Sequence, residues 1–373
     1  TFANNSFDEI LADIYEKYQA KLLENNAVDF DDLLSKTVTL FRSKPHVLAH
    51  YHEQFEYVLI DEYQDTNYVQ YLLSKQLAAK NKKITVVGDF SQSIYSWRGA
   101  DIKNLEKFQK DFPGTEVFSL EQNYRSTQKI LDYAYEIISK NNSHPILQLY
   151  TQNSAGEDVN IQQLTNEEEE SLFVAEEIER VHTDSDIAYD NMAVLYRMNA
   201  QSRIVEEGFL HMGIPYVLIG GTRFYERKEI KDLLSYIRLL VNPKDDVSEA
   251  RAKKIGKRRY QFFLELLESD TPPITWTTEA ALDLVLEKTK YLELYDEHDP
   301  EDYSRLENIK ELRSVAISFP NLTDFLQQVA LVESEYSQNE KENGERKGVK
   351  LMTLHQAKGL EFEYVFIIGL EEG

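Results

Sequence analysis

Asp61 and Glu62 follow the short apolar run Tyr57-Val58-Leu59-Ile60, and Gly88-Asp89 follows a second run, Ile84-Thr85-Val86-Val87. Such runs read as buried parallel strands, and a helix-like segment, Tyr68 to Ala79, separates them. The pattern predicts a βαβ unit that delivers carboxylates to the carboxyl edge of an α/β sheet, where open sheets place their sites. A carboxylate there can hold Mg²⁺, directly or through water, and its neighbour can orient or deprotonate an attacking water. The chemistry suggested is that of phosphate. An acidic pair after a strand is also a common solvated cap, so the pair alone does not decide.

Three other clusters bear on the same question. Ser93 to Ala100 interleaves Tyr95 and Trp97 with Arg98 and ends in Gly99-Ala100. An exposed aromatic beside Arg suits stacking on an unpaired base and gripping phosphate, although composition alone favours Trp97 as a core residue. Val117-Phe118-Ser119-Leu120 reads as a third strand running into Glu121-Gln122-Asn123-Tyr124-Arg125-Ser126. A planar Arg suits a γ-phosphate, and Tyr124 can stack on a base; read alone, the segment is a loop with a surface Arg. Lys253 to Arg259 places five cations in seven residues around Gly256. A Gly between basic residues at a helix start lets backbone N–H groups approach a phosphate, and a solvated basic loop is the competing reading.

The run Asp61-Glu62-Tyr63-Gln64-Asp65-Thr66, followed by Gly88 to Ala100, resembles motifs II and III of the UvrD, PcrA and Rep type helicases of superfamily 1. Glu121 to Ser126 resembles motif IV and Val349 to Gly373 motif V. Asp29-Phe30-Asp31-Asp32-Leu33 resembles the re-entry into the first motor domain, and Phe224 to Val241, holding Glu226 to Asp232, the passage into the accessory domain. The resemblance implies ATP-driven 3′→5′ unwinding of DNA in repair or replication, with ATP and Mg²⁺ as cofactors. It implies single-stranded and 3′-tailed duplex DNA as partners. It puts Asp61 on Mg²⁺, Glu62 on the attacking water, and Gln92 and Arg125 on the γ-phosphate. Tyr124 is implied at the base and Glu361 at the ribose. Tyr95, Trp97, Arg98, Thr353 and His355 are implied along the single strand, and Lys257 and Arg258 at the duplex. A His after a strand is otherwise usually a core residue.

The elements that must position these residues follow in order. Ile10, Leu11, Ile14, Tyr15, Tyr18, Leu22 and Leu23 fall at helical spacing, Asn25-Asn26 breaks that helix, and Asp29 opens another with acids at its N-terminus. Thr127 to Lys140 and Glu167 to Arg180 read as helices, and Met192 to Arg197, Ile214 to Ile219 and Tyr364 to Leu370 as strands. Residues 242 to 347 are helical by pattern, and Gly344 with Gly348 marks a linker. The expected fold is α/β, with RecA-like P-loop NTPase motor domains and a helical accessory insertion. Its expected boundaries are 1–27 (end of a helical insertion of the first motor domain), 28–122 (first motor domain), 123–225 (second motor domain), 226–347 (accessory domain) and 348–373 (return to the second motor domain).

The 373 residues are 42% hydrophobic and 12% aromatic, enough for substantial cores, and no stretch has the length and apolarity of a transmembrane span. The absence of cysteine excludes disulfides and cysteine-ligated metal and is compatible with a cytoplasmic setting. The net charge of −24 argues against a nonspecific nucleic-acid binder, so any DNA path must be a local basic and aromatic track. No GxxxxGK[ST] phosphate loop and no motif VI occurs. The expectation is an internal segment of a longer helicase that hydrolyses ATP negligibly by itself. The alternatives are a non-hydrolysing DNA-binding or protein-docking module and part of a helicase–nuclease subunit.

Overall fold

A computed structural model describes residues 6–268, 276–343 and 347–371. Gly344 of the expected linker and the side chain of Arg98 lie outside the described residues. Contacts divide the chain into two compact units, Thr1–Asn160 and Ile161–Gly373.

In the first unit, α1 (Ser6–Glu24) stops at Asn26, whose φ of 49° is left-handed. Asp29 then caps α2 (Phe30–Ser43), accepting the Asp32 N–H at 2.8 Å. That hydrogen bond, foremost, holds the Asp29 carboxyl below its usual range. The acidic cluster here therefore opens a helix, as a dipole argument expects. After α3 (Pro45–Gln54), β1 (Val58–Ile60) and β2 (Ile84–Val86) pair in parallel, Val58 opposite Ile84 and Ile60 opposite Val86. Between them α4 (Tyr68–Ala78) begins at a capping box in which Asn67 and Gln70 satisfy each other's backbone N–H.

These two strands are not buried as their apolar runs predict. Exposure alternates along each, and Leu59 is 76% exposed. Among the described residues only one face is covered, by a small cluster of Tyr63, Tyr71 and Phe108 on which Ile60, Ile84 and Val86 pack. The unit continues through α5 (Lys103–Asp111) to β3 (Gln122–Asn123), α6 (Gln128–Ile138) and β4 (Tyr150–Thr151), β3 and β4 pairing in parallel. Residues 117–120, expected as a strand, form none. Val117, Phe118 and Leu120 are exposed, and pairing starts only at Gln122. β propensity reflects fit to a half-buried pleated surface, and this run lies on no such surface.

The second unit opens with α7 (Glu167–Ser185), β5 (Met192–Tyr196), α8 (Ser202–Met212) and β6 (Tyr216–Leu218). The helical stretch follows: α9 (Lys228–Val241), α10 (Asp246–Ile255), α11 (Lys257–Leu267), α12 (Thr278–Thr289), α13 (Pro300–Ser318) and α14 (Leu322–Asn343). The chain then returns to the sheet through β7 (Val349–Thr353) and β8 (Tyr364–Ile367). The sheet is parallel, in the order β6-β7-β5-β8. β5 is buried at every position, as a central strand covered on both faces should be, whereas β8, expected as a buried strand, is half exposed at the sheet's edge. Helices and sheet share one core: Val194 of β5, Phe209 of α8, Leu234 of α9 and Phe325 of α14 belong to a single cluster. Parallel strands with flanking helices are the α/β, RecA-like class expected from the sequence.

Candidate nucleotide and nucleic-acid site

Asp61 and Glu62 emerge from the carboxyl end of β1 and are exposed. The Asp61 Oδ1 accepts the Glu62 N–H at 2.8 Å, and Glu62 adopts φ 49° and ψ 43°. A left-handed non-glycine backbone is uncommon and gathers at functional sites. Tyr63 then dives into the small core, and its N–H donates to the Val87 carbonyl at 2.9 Å, holding the loop after β1 against the end of β2.

β2 delivers Gly88-Asp89 to the same edge. The Asp89 carboxylate accepts the Ser91 N–H at 2.8 Å through Oδ1 and the Gln92 Nε2 amide at 2.9 Å through Oδ2. One acid thus caps a short 3-10 turn (Phe90–Gln92) and orients the Gln92 side chain. A second 3-10 turn (Ser96–Arg98) carries Trp97 and closes at Gly99, where φ 83° requires glycine. Trp97 is 53% exposed and Tyr95 half-buried, so Trp97 is a surface aromatic and the core reading fails. The turn is anchored to the acidic loop: Asn67 bridges Ala100, and the Thr66 carbonyl accepts the Asp101 N–H at 3.2 Å and the buried Asn104 Nδ2 amide at 2.8 Å.

Tyr124 and Arg125 lie just beyond β3. Asn123 Oδ1 accepts the Arg125 and Ser126 N–H groups at 2.9 and 2.8 Å, and the Asn153 amide reaches the Tyr124 and Ser126 carbonyls. This Asx turn turns both side chains outward, Tyr124 at 78% exposure.

In the second unit, Thr353 ends β7 buried, its Oγ1 and N–H both directed to the Gln356 Oε1, while His355 is half-buried. The Arg197 Nη1 donates to the His355 Nδ1 at 3.1 Å, joining the carboxyl ends of β5 and β7. Glu361 is exposed in the loop before β8. Lys257 and Arg258 are exposed in the first turn of α11. Gly256 precedes them with extended backbone, and a Cβ there would meet nothing nearer than Arg259 at 3.7 Å. Neither packing nor torsion requires glycine at this helix start. Lys253 is engaged by Glu249 at 2.8 Å, and Arg258 lies over the Phe262 ring at 5.5 Å.

Several supports carried no legible role in the sequence. Gln64 and Asp89 stand inside the motifs, yet only the folded loop shows that they join the two strand ends. Asn153 lies 29 residues from Tyr124 with no local signal. Arg197 could have been suspected, as a cation directly after a central strand.

Known proteins resemble this chain along its whole length. Residues 2–113 match the UvrD/REP helicase N-terminal domain, and 118–271 with 274–373 the UvrD-like helicase C-terminal domain. The chain is 41% identical over 420 residues to the ATP-dependent DNA helicase PcrA of Bacillus subtilis (strain 168), covering 100% of this chain and 57% of that protein. The PcrA of Leuconostoc citreum is 38% identical over 425 residues (100% and 56%), and that of Staphylococcus aureus (strain Mu50) 40% over 419 (99% and 57%). The chain thus spans little more than half the length of these relatives, and an alignment of 420 positions on 373 residues makes it shorter than the first of them within the matched region. Among the described residues no helix is long and apolar enough to cross a membrane.

Proposed function

This chain belongs to the UvrD-like helicase family, and from that premise we propose that it is a segment of an ATP-driven motor moving 3′→5′ along DNA and unwinding it. The observation that carries the reading is the shared edge of β1 and β2, where exposed Asp61 and Glu62 stand beside the turn that orients Gln92. On this reading residues 28–122 belong to the first motor domain, 123–225 and 348–373 to the second, and 226–347 to the accessory domain.

The residues at the edge suit a magnesium nucleotide. No cluster of three or more His, Asp or Glu among the described residues forms a ready-made metal cage. Mg²⁺ needs none, since it is usually held by one or two carboxylates together with phosphate oxygens and water. Asp61 has one oxygen on the Glu62 N–H and an exposed carboxylate for the ion. When bound, Mg²⁺ neutralises phosphate charge. Glu62 is the group that takes a proton from water at its carboxylate. Arg125 supplies a planar cation for phosphate oxygens, and Tyr124 a face for the base. Gln92 meets the γ-phosphate, and Trp97 with Tyr95 offers stacking surface to an unpaired base. Within the second unit, Glu361 is assigned to a ribose and Thr353 and His355 to a DNA strand. Lys257 and Arg258, just after a glycine the fold does not require, contact duplex phosphate.

The test is ATP hydrolysis by the protein expressed from its complete reading frame, with single-stranded DNA present. Glu62→Gln is expected to lower kcat by about 10²- to 10⁴-fold with DNA binding intact; turnover that survives the substitution sinks the reading. Anisotropy with single-stranded and 3′-tailed duplex DNA tests the track. Trp97→Ala is expected to weaken both, and a Lys257/Arg258/Arg259→Ala variant to lose the duplex preference and flatten the salt dependence.

A further inference from the structure

We infer that Gln64 is the positioning residue for Glu62, and that it ties Glu62 through Asp89 to the turn carrying Gln92. The inference rests on Glu62 acting at the attacking water. Gln64 has no exposed surface although Asp61 and Glu62 just before it are exposed. Both ends of its amide are used: Nε2 donates to the Glu62 Oε2, and Oε1 accepts the Asp89 N–H at 3.1 Å. The Asp89 N–H can only donate, so Oε1 faces it and Nε2 must face Glu62; chemistry fixes the amide's orientation. Glutamine alone among side chains of this length supplies donor and acceptor at once.

A bland role, a buried amide merely satisfied, explains less. An exposed carboxylate is well solvated and needs no protein donor for stability, yet the donor is spent there. Glu62 also sits in a left-handed conformation that is strained for a non-glycine residue. Opposite, the end of β2 is kept bare: a Cβ at Gly88 would come within 2.7 Å of the Gln64 Oε1, and φ does not demand glycine there. The close approach of the amide does. From Asp89 the set continues, since its carboxylate holds the Ser91 N–H and the Gln92 amide. A shift of the Gln92 turn therefore displaces the Asp89 N–H and, through Gln64, the Glu62 carboxylate.

Two variants separate the halves of the amide. Gln64→Leu removes both bonds. Gln64→Glu keeps the shape and the acceptor for Asp89 but puts a carboxylate against Glu62. In the nucleotide-free 373-residue chain, hydrogen exchange at the Asp89 amide is expected to speed up about tenfold in Gln64→Leu and to stay slow in Gln64→Glu. In the protein from its complete reading frame, both variants are expected to lose about 10- to 100-fold in kcat, the range seen when a supporting hydrogen-bond partner is removed. KM for ATP should stay within about threefold. Gly88→Ala, which pushes the amide without altering it, should give the same split. Slow Asp89 exchange with full kcat in Gln64→Glu overturns the inference, as does a rise in KM at constant kcat. Should Gln64→Leu fail to fold, Gln64→Glu and Gly88→Ala decide. Glu62→Gln run alongside separates the two levels. If it too leaves turnover intact, the reading of Glu62 has failed; if it alone abolishes turnover, only the role of Gln64 has.

Discussion

β1 and β2 end over a core of three buried aromatics, whereas the sheet of the second unit ends over a cluster that runs from Val174 to Ile368. Both edges nevertheless lock their loops with the same device. Gln64 joins the ends of β1 and β2 with Gly88 bare beside it. Gln356 accepts the Thr353 N–H at 2.9 Å and donates to the Gly220 carbonyl at 3.1 Å, joining β7 to the turn after β6. Gln201 accepts the Arg197 and Met198 N–H groups at 3.0 and 2.9 Å after β5. A side-chain amide can satisfy a donor and an acceptor on neighbouring strand ends, and a glycine opposite admits it. What differs is the ground beneath. In the second unit apolar packing sets stability and the amides refine the loops. In the first, a few polar contacts carry more of the geometry, so function there can be lost with little change in folding.

That contrast can be broken most sharply from the packing side. Phe209→Ala, at a fully buried position, should destabilise the second unit by about 3–5 kcal/mol in urea denaturation followed by hydrogen exchange. A loss below about 1 kcal/mol would mean that the large cluster is not what holds the sheet.

A smaller effect comes from Glu206, an acid with no exposed surface in the second unit. Glu206 accepts hydrogen bonds from the Ser202 and Tyr216 hydroxyls, and burial pushes its carboxyl up to about 7 against the pull of Arg227. The folded state holds the proton more tightly than the unfolded chain does. Its stabilising contribution is therefore complete below about pH 4.5 and is lost as pH rises through about 7. Glu206→Gln should remove that slope from the melting temperature and leave the second unit on the order of 1–3 kcal/mol more stable than the parent at pH 8. An unchanged pH profile would show that Glu206 does not titrate in this window.

In the first unit the sharpening substitution is polar. Asn67→Ala removes the capping box of α4 and should cost about 1 kcal/mol in the same denaturation experiment. The smallest effect is expected at Gly256. Gly256→Ala should leave stability within about 0.5 kcal/mol, since a Cβ there meets only ordinary contact, yet weaken binding to 3′-tailed duplex. Unchanged duplex binding would return the basic cluster to a solvated loop.

Local signals settled much of this protein. The Asn25-Asn26 break, the Asp29 cap, the acids at the end of β1 and the helical character of the described residues between 246 and 343 all follow from short-range chemistry that acts in any context. The motif residues were legible only through their resemblance to a known family, since composition by itself favoured Trp97 as a core residue and Arg125 as part of a surface loop. Tertiary structure decided what depends on a distant partner. Among the described residues, 117–120 have strand composition but no neighbouring strand, and nothing covers the face that carries Leu59. Trp97 is raised to the surface because Asn67 and Thr66 anchor its turn, and Gln64 gains its role only when β1 and β2 lie side by side. Propensity acts within a few residues, whereas burial and hydrogen-bond pairing are set by groups tens of residues apart.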